Sequence, residues 1–198
     1  MNYLLILVLI LWIYILSVLK RAKLDFWYFL FGSVGMFIAT VIVVQPFVTE
    51  PMQKAVAAVA GIMGDLTGLY HSYFQYGILF IDSGTTSISL YVDYECAGII
   101  EILAFSALLW FFPVYRTYEK IMVNIVGFLT IFIANVLRIF LICVLIYFFG
   151  NSIYFAAHTI IGRIFFYACS IALYFYVFTK PQIVRQKVGR FRYDNSNQ

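Results

Sequence analysis

The sequence predicts an all-α integral membrane protein of about five transmembrane helices. An amphipathic helix and a short β-hairpin are expected on its extracytoplasmic side. Three observations lead there. Hydrophobic residues make up 64% of the chain and charged residues 11%, against about a quarter charged in soluble domains. Several apolar runs approach or exceed the roughly 20 residues that cross a bilayer as a helix. Lysines and arginines gather beside a few of those runs, the pattern that holds loops in the cytosol. The 198 residues read as one membrane domain, 1–198, with a basic cytosolic tail at 180–198. The net charge of +4 comes mainly from that tail. It reports orientation and gives no reason to expect nucleic-acid binding.

The apolar run at 2–19 is followed by Lys20, Arg21 and Lys23. A secretory signal has its basic region first, so this run is expected to be an uncleaved helix with its N-terminus outside. A second span, 26–44, should end at Gln45-Pro46, because proline cannot continue the hydrogen-bond ladder. The segment 47–95 carries five acids (Glu50, Asp65, Asp82, Asp93, Glu95) and one base, Lys54. So few bases fit the outside. Thr49-Glu50-Pro51 reads as a helix start, with Pro51 in the first turn. Met52, Val56, Val59, Met63, Leu66 and Tyr70 then recur at three- or four-residue steps, which predicts an amphipathic helix at the interface. Residues 78–81 are apolar, Asp82-Ser83-Gly84 signals a turn, and Ile88, Leu90 and Val92 alternate with Ser87, Ser89 and Tyr91. That is a hairpin pattern.

A third span, 97–112, returns inward to a short cytosolic loop, 113–120, with Arg116, Glu119 and Lys120. The run 121–149 is too long for one straight span. About 18 residues, at 1.5 Å each, carry a helix across the core. Asn135 and Arg138 then fall near the outer surface, and 139–149 must tilt, bend back or lie along the interface. A turn at 150–152 precedes the last span, 156–178, which returns to the cytosol.

In this layout Cys96, Arg138 and His158 come from three segments to the same outer face. Cys96 lies in Asp93-Tyr94-Glu95-Cys96-Ala97-Gly98, where a polar loop enters an apolar run. At a helix N-terminus the unpaired N–H groups and the dipole favour a thiolate, though a cysteine in an apolar protein is usually a small packing residue. Gly98 leaves room for another backbone to approach. Arg138 shares a helix face with Asn135. It reads either as a snorkelling cation or as a guanidinium aimed at a developing oxyanion. His158 reads either as an interfacial histidine or as a general base beside a cysteine. Glu101 and Arg163 lie inside spans, shortly after Cys96 and His158. A mutual salt bridge is the plainer expectation, and orientation of the site the other. His71 is expected on a surface loop, Cys143 and Cys169 as packing residues. Gly64-x-x-x-Gly68 is a weak helix-packing signal. The three cysteines are odd in number and show no C-x-x-C spacing, so neither a disulfide framework nor a metal site is expected. No cofactor is expected either.

The order Cys96-Ala97-Gly98, Asn135-x-x-Arg138 and His158 resembles the exosortase/archaeosortase family, over about 45–178. These are membrane cysteine transpeptidases or proteases, and the chain looks most like the Gram-positive exosortase G subgroup. Many members have serine where this chain has Ala97. The large exosortases have further spans or an added C-terminal domain, and neither is expected here. The resemblance implies a catalytic set of Cys96, Arg138 and His158, supported by Asn135, Gly98 and Glu101. It implies as partner a secreted protein with a C-terminal recognition motif, one transmembrane helix and a basic end. The acceptor stays open among an amine, an envelope lipid or glycan, and water. The competing expectation is a non-enzymatic membrane subunit or chaperone of an envelope polymer assembly system.

Overall fold

The computed structural model describes residues 2–82, 87–93 and 96–183. Six α-helices and three strands follow in the order α1 (Asn2–Arg21), α2 (Asp25–Val43), α3 (Gln45–Thr67), β1 (Tyr70–Tyr73), β2 (Ile78–Asp82), β3 (Ser87–Tyr91), α4 (Ile99–Phe111), α5 (Thr117–Phe149) and α6 (Gly162–Tyr174). Two π-helical segments, Ala156–Ile161 and Phe175–Thr179, flank α6. With them it makes one continuous rod, Ala156–Ile183. Among the described residues three helices are long and apolar enough to cross a membrane: Asp25–Val43, Thr117–Phe149 and Ala156–Ile183. The helix α4 is apolar but shorter, at 13 residues.

The predicted helix start at Thr49-Glu50-Pro51 is corrected. The helix α3 begins at Gln45, one residue after α2, and Pro51 lies inside it. Pro46 takes the start instead, where its missing N–H costs no hydrogen bond. The Thr49 hydroxyl donates back to the Gln45 carbonyl at 2.6 Å and caps nothing ahead of it. The buried stripe of α3 also differs from the expected one. It consists of Met52, Val56, Ala57, Ala60, Gly61 and Gly64, while Val59 and Leu66 are exposed. The reason is what packs there. Gly61 faces the Ser72 side chain and Gly64 faces Tyr70, so the sheet lies close against small residues. Gly64 and Gly68 therefore do not form a helix-packing pair: Gly68, at φ 68°, ends the helix in a left-handed turn.

The expected hairpin is present as β2 and β3, paired antiparallel from Ile78↔Tyr91 to Asp82↔Ser87. Its turn at Ser83-Gly84 lies outside the described residues. A third strand was not expected. His71, read as a loop residue, belongs to β1, which pairs antiparallel with β2 through His71↔Phe80. The side chain is nonetheless on the surface, with Nδ1 3.4 Å from Asp65 Oδ1. The motif Tyr70-His71-Ser72-Tyr73 is too short to stand out by alternation. Tertiary bonds hold it: Tyr70 Oη donates to Ala60 O at 2.5 Å and Ser72 Oγ to Ala57 O at 2.9 Å.

The helix α5 is a single helix of 33 residues, roughly 50 Å long at 1.5 Å per residue. Of the three expectations for 139–149, bending back is excluded. The physical reason lies in the packing of that last third. Ile139, Ile142, Cys143 and Ile146 join Leu79, Ile81, Leu90, Val56 and Ala60 in one core, which continues the helix under the sheet. The N-terminal part of α5 packs on α4, with Gly127 beneath the Phe105 ring. The helix starts at Thr117, inside the expected loop 113–120. The backbone N–H of Arg116 donates to the Glu119 carboxylate at 2.9 Å, which caps it. At that end Phe105, Phe112, Tyr174 and Phe178 stack edge to face. Most of the basic tail, 184–198, lies outside the described residues.

Candidate active site

Cys96 sits just ahead of α4. Val92, the first residue after β3 and buried, donates its N–H to Gly77 O at 2.8 Å, which anchors the approach. One turn then closes on Asp93. The Cys96 N–H reaches both the Asp93 carbonyl, at 3.1 Å, and Asp93 Oδ1, at 2.8 Å. The Ala97 N–H reaches the Asp93 carbonyl at 3.1 Å. Gly98 follows at φ 70°, a left-handed conformation that glycine adopts at little cost. It is the residue before the first turn of α4, so Cys96 lies outside the helix, two residues ahead of that cap.

The side chains converge. Cys96 Sγ is 3.4 Å from His158 Nε2. Arg138 Nη2 donates toward the same sulfur at 3.9 Å. Cys96 and Arg138 are 3% and 5% exposed and Asn135 is fully buried. A guanidinium so enclosed is not snorkelling to the membrane surface. It lies over the Phe166 ring, 5.9 Å from the centroid, a favourable cation–π placement. Arg138 Nε and Asn135 Oδ1 are buried without a hydrogen-bond partner among the described residues. Buried polar atoms left unpaired are costly, so this cluster holds unspent hydrogen-bonding capacity next to the thiol.

Each element has a local reason to deliver its residue. His158 lies in the π-helical segment Ala156–Ile161. Wide turns of this kind are frequent at functional sites, and the imidazole on this one lies against Cys96. Tyr154 stacks on that ring at 6.0 Å with planes 6° apart. Gly162 faces the Ile142 side chain, and this lets the last helix approach α5 closely. Asn135 donates its amide to Ile131 O at 3.3 Å, and its amide group fills the space a Gly98 side chain would need.

A substitution at Gly98 should therefore be costly twice. An L-residue at that φ costs about 1–2 kcal/mol, and the new Cβ would overlap a fully buried Asn135 amide with nowhere to move. Gly98→Ala is expected to shift the turn and slow any reaction at Cys96 by about 100-fold. A rate equal to wild type at equal membrane abundance would show room that this geometry denies.

Of the remaining expected site residues, Glu101 is half-buried in the first turn of α4 and Arg163 is exposed beyond His158. Each engages another group. Cys143 is fully buried, Cys169 is half-buried, and none of the three cysteines is in a disulfide. Sequence reading missed Phe166 and Tyr154. Tyr154 stands four residues before His158, a spacing at which helical side chains meet. Phe166 had no such signal. No group of His, Cys, Asp and Glu among the described residues could hold a metal ion.

Fold and cluster together define a multi-pass membrane protein with a cysteine, a histidine and an arginine gathered at one buried point. The chain belongs to the transmembrane exosortase family, whose model (Exosortase_EpsH) matches residues 1–175. The match takes in the two N-terminal helices, which the motif resemblance over 45–178 left out. Membership suggests a membrane transpeptidase. No curated protein and no solved structure was found to match the chain.

Proposed function

We propose that this protein is a cysteine transpeptidase or endopeptidase that removes the C-terminal sorting tail of secreted proteins. The observation that carries the reading is the meeting of Cys96 Sγ with His158 Nε2 at 3.4 Å and Arg138 Nη2 at 3.9 Å. Distances this loose are ordinary before substrate binds. His158 Nε2 takes the thiol proton and the thiolate attacks the scissile carbonyl. The Arg138 guanidinium donates to the resulting oxyanion. The C–N bond breaks, His158 returns the proton to the leaving amine, and a thioester remains on Cys96. An amine, an envelope lipid or glycan, or water then attacks the thioester. Asn135 and Gly98 hold the nucleophile turn against α5. The exosortase G subgroup, five spans and an outward-facing site belong to the same proposal: the motif details favour the subgroup, the apolar runs the five spans, and the placement of the basic residues the orientation.

The test is co-expression with a secreted protein bearing a recognition motif, one transmembrane helix and a basic end. A smaller product that appears only with this protein is expected. Reporters fused after Lys23 and at the C-terminus should read cytosol, and one near Ser83 outside. An unchanged substrate, with Cys96 no more reactive toward an impermeant thiol reagent than Cys143 or Cys169, would favour a non-enzymatic assembly subunit.

The strand β3 is a sheet-edge strand, and the chain runs from it to Cys96. It is our candidate for docking the substrate as an added strand, through main-chain hydrogen bonds. The Val92 N–H to Gly77 bond sets the alternation of the ladder, so Leu90 donates inward to β2 and the exposed Ser89 presents its N–H to the free edge. Ser89→Pro removes that edge donor and is expected to raise KM about tenfold, with the protein still inserted. Unchanged KM would count against docking on this edge.

A further inference from the structure

We propose that Asp93 is a positioning residue for Cys96, acting through the acceptor oxygens that close the nucleophile turn. This rests on the reading of Cys96 as the nucleophile. Asp93 supplies two acceptors to the turn. Its carbonyl takes the N–H groups of Cys96 and Ala97, both at 3.1 Å, and its carboxylate takes the Cys96 N–H at 2.8 Å. The shorter contact is the charge-assisted one. A backbone carbonyl alone leaves such a turn free to open, because one acceptor then holds two donors. The side chain adds a second hold on the residue that carries the sulfur.

The neighbourhood makes that hold consequential. On one side Val92 is 1% exposed and anchored to Gly77. On the other, Gly98 is wedged against the Asn135 amide. The turn between them sets where Sγ lies relative to His158 and Arg138, two groups on other helices that cannot follow it. Misplacing a nucleophile by about 1 Å can cost about 100-fold in rate. The carboxylate itself offers nothing to the chemistry: a negative charge beside a forming thiolate opposes it. Its value to the site is therefore as an acceptor, which distinguishes it from a charge-tuning role.

The substitutions Asp93→Ala and Asp93→Asn in the full-length membrane protein separate these roles. An asparagine oxygen can accept the same N–H, as in an Asx turn. Asp93→Ala is expected to lower kcat by about 10- to 100-fold with KM within about threefold, and Asp93→Asn to restore kcat to within about threefold of wild type. Wild-type kcat in Asp93→Ala would overturn the proposal. So would an Asp93→Asn protein as slow as Asp93→Ala, since charge would then be what matters. If Asp93→Ala fails to accumulate in the membrane, Asp93→Ser carries the comparison, with a shorter acceptor and an expected kcat below that of Asp93→Asn; equal kcat would sink the idea.

A second readout needs no substrate. The rate at which a small neutral maleimide alkylates Cys96 is measured with and without His158→Ala. The effect of His158→Ala should be the same in wild type and Asp93→Asn, and smaller in Asp93→Ala, where the turn no longer holds the sulfur to the imidazole. An undiminished effect in Asp93→Ala would refute positioning. If no tailed substrate is processed by the wild type, the proposed function fails, while the alkylation cycle still decides the role of Asp93.

Discussion

Cys96→Ala is expected to abolish tail removal, with the protein inserted at wild-type abundance. The alanine keeps the turn and the small buried volume but has no nucleophile, and nothing else near His158 can replace it among the described residues. His158→Ala should lose both thiol deprotonation and protonation of the leaving amine. General acid–base catalysis contributes about 10²- to 10⁴-fold, so a residual rate in that range below wild type is expected. The two act as one unit, so the double substitution should be no slower than Cys96→Ala alone. Cys96→Ser is informative in another way. An alcohol is much harder to deprotonate than a thiol, so this variant should hold the tailed substrate without releasing product. Gel-shift of the co-expressed substrate, alongside immunoblots of the membrane fraction, reads all four. Tail removal that persists in Cys96→Ala would end the proposed mechanism.

Arg138→Lys is expected to slow processing by about 100-fold or more while insertion and substrate binding persist. The charge is kept, but the planar fork is not. In the structure the guanidinium reaches the sulfur through Nη2 and lies over the Phe166 ring at the same time. A lysine ammonium carries its three N–H donors on one atom and does not reproduce the planar fork that spans the sulfur, the ring and the oxyanion position together. The contrary reading, an arginine that only snorkels, predicts near-normal activity for lysine, which snorkels equally well. The burial of Arg138, 5% exposed, already speaks against snorkelling. Processing rate and membrane abundance measured together for this one substitution separate the two.

How much of this was legible beforehand differs by residue. The membrane class follows from apolar runs that no soluble domain carries. The hairpin was legible in the alternation of Ile88, Leu90 and Val92 with serines and a tyrosine. The order of Cys96, Asn135, Arg138 and His158 was legible as a family pattern. The burial stripe of α3 was not, because periodicity weighs large apolar residues, while the sheet packs on Ala57, Ala60, Gly61 and Gly64. The strand β1 was hidden as well, since its side-chain bonds run to carbonyls of α3 that the chain order does not reveal.

The sequence by itself determined the solvent this protein lives in and the chemical groups it has to offer. Those follow from side-chain transfer energies and residue types, which are properties of each segment alone. The tertiary structure decided that Arg138 faces inward, that 139–149 continues the helix under the sheet, and that Asp93 accepts from the Cys96 N–H while Gly98 packs against the Asn135 amide. All but the Asp93 contact are distances between segments far apart in the chain, set by how small residues let helices and strands approach, and no local pattern encodes them.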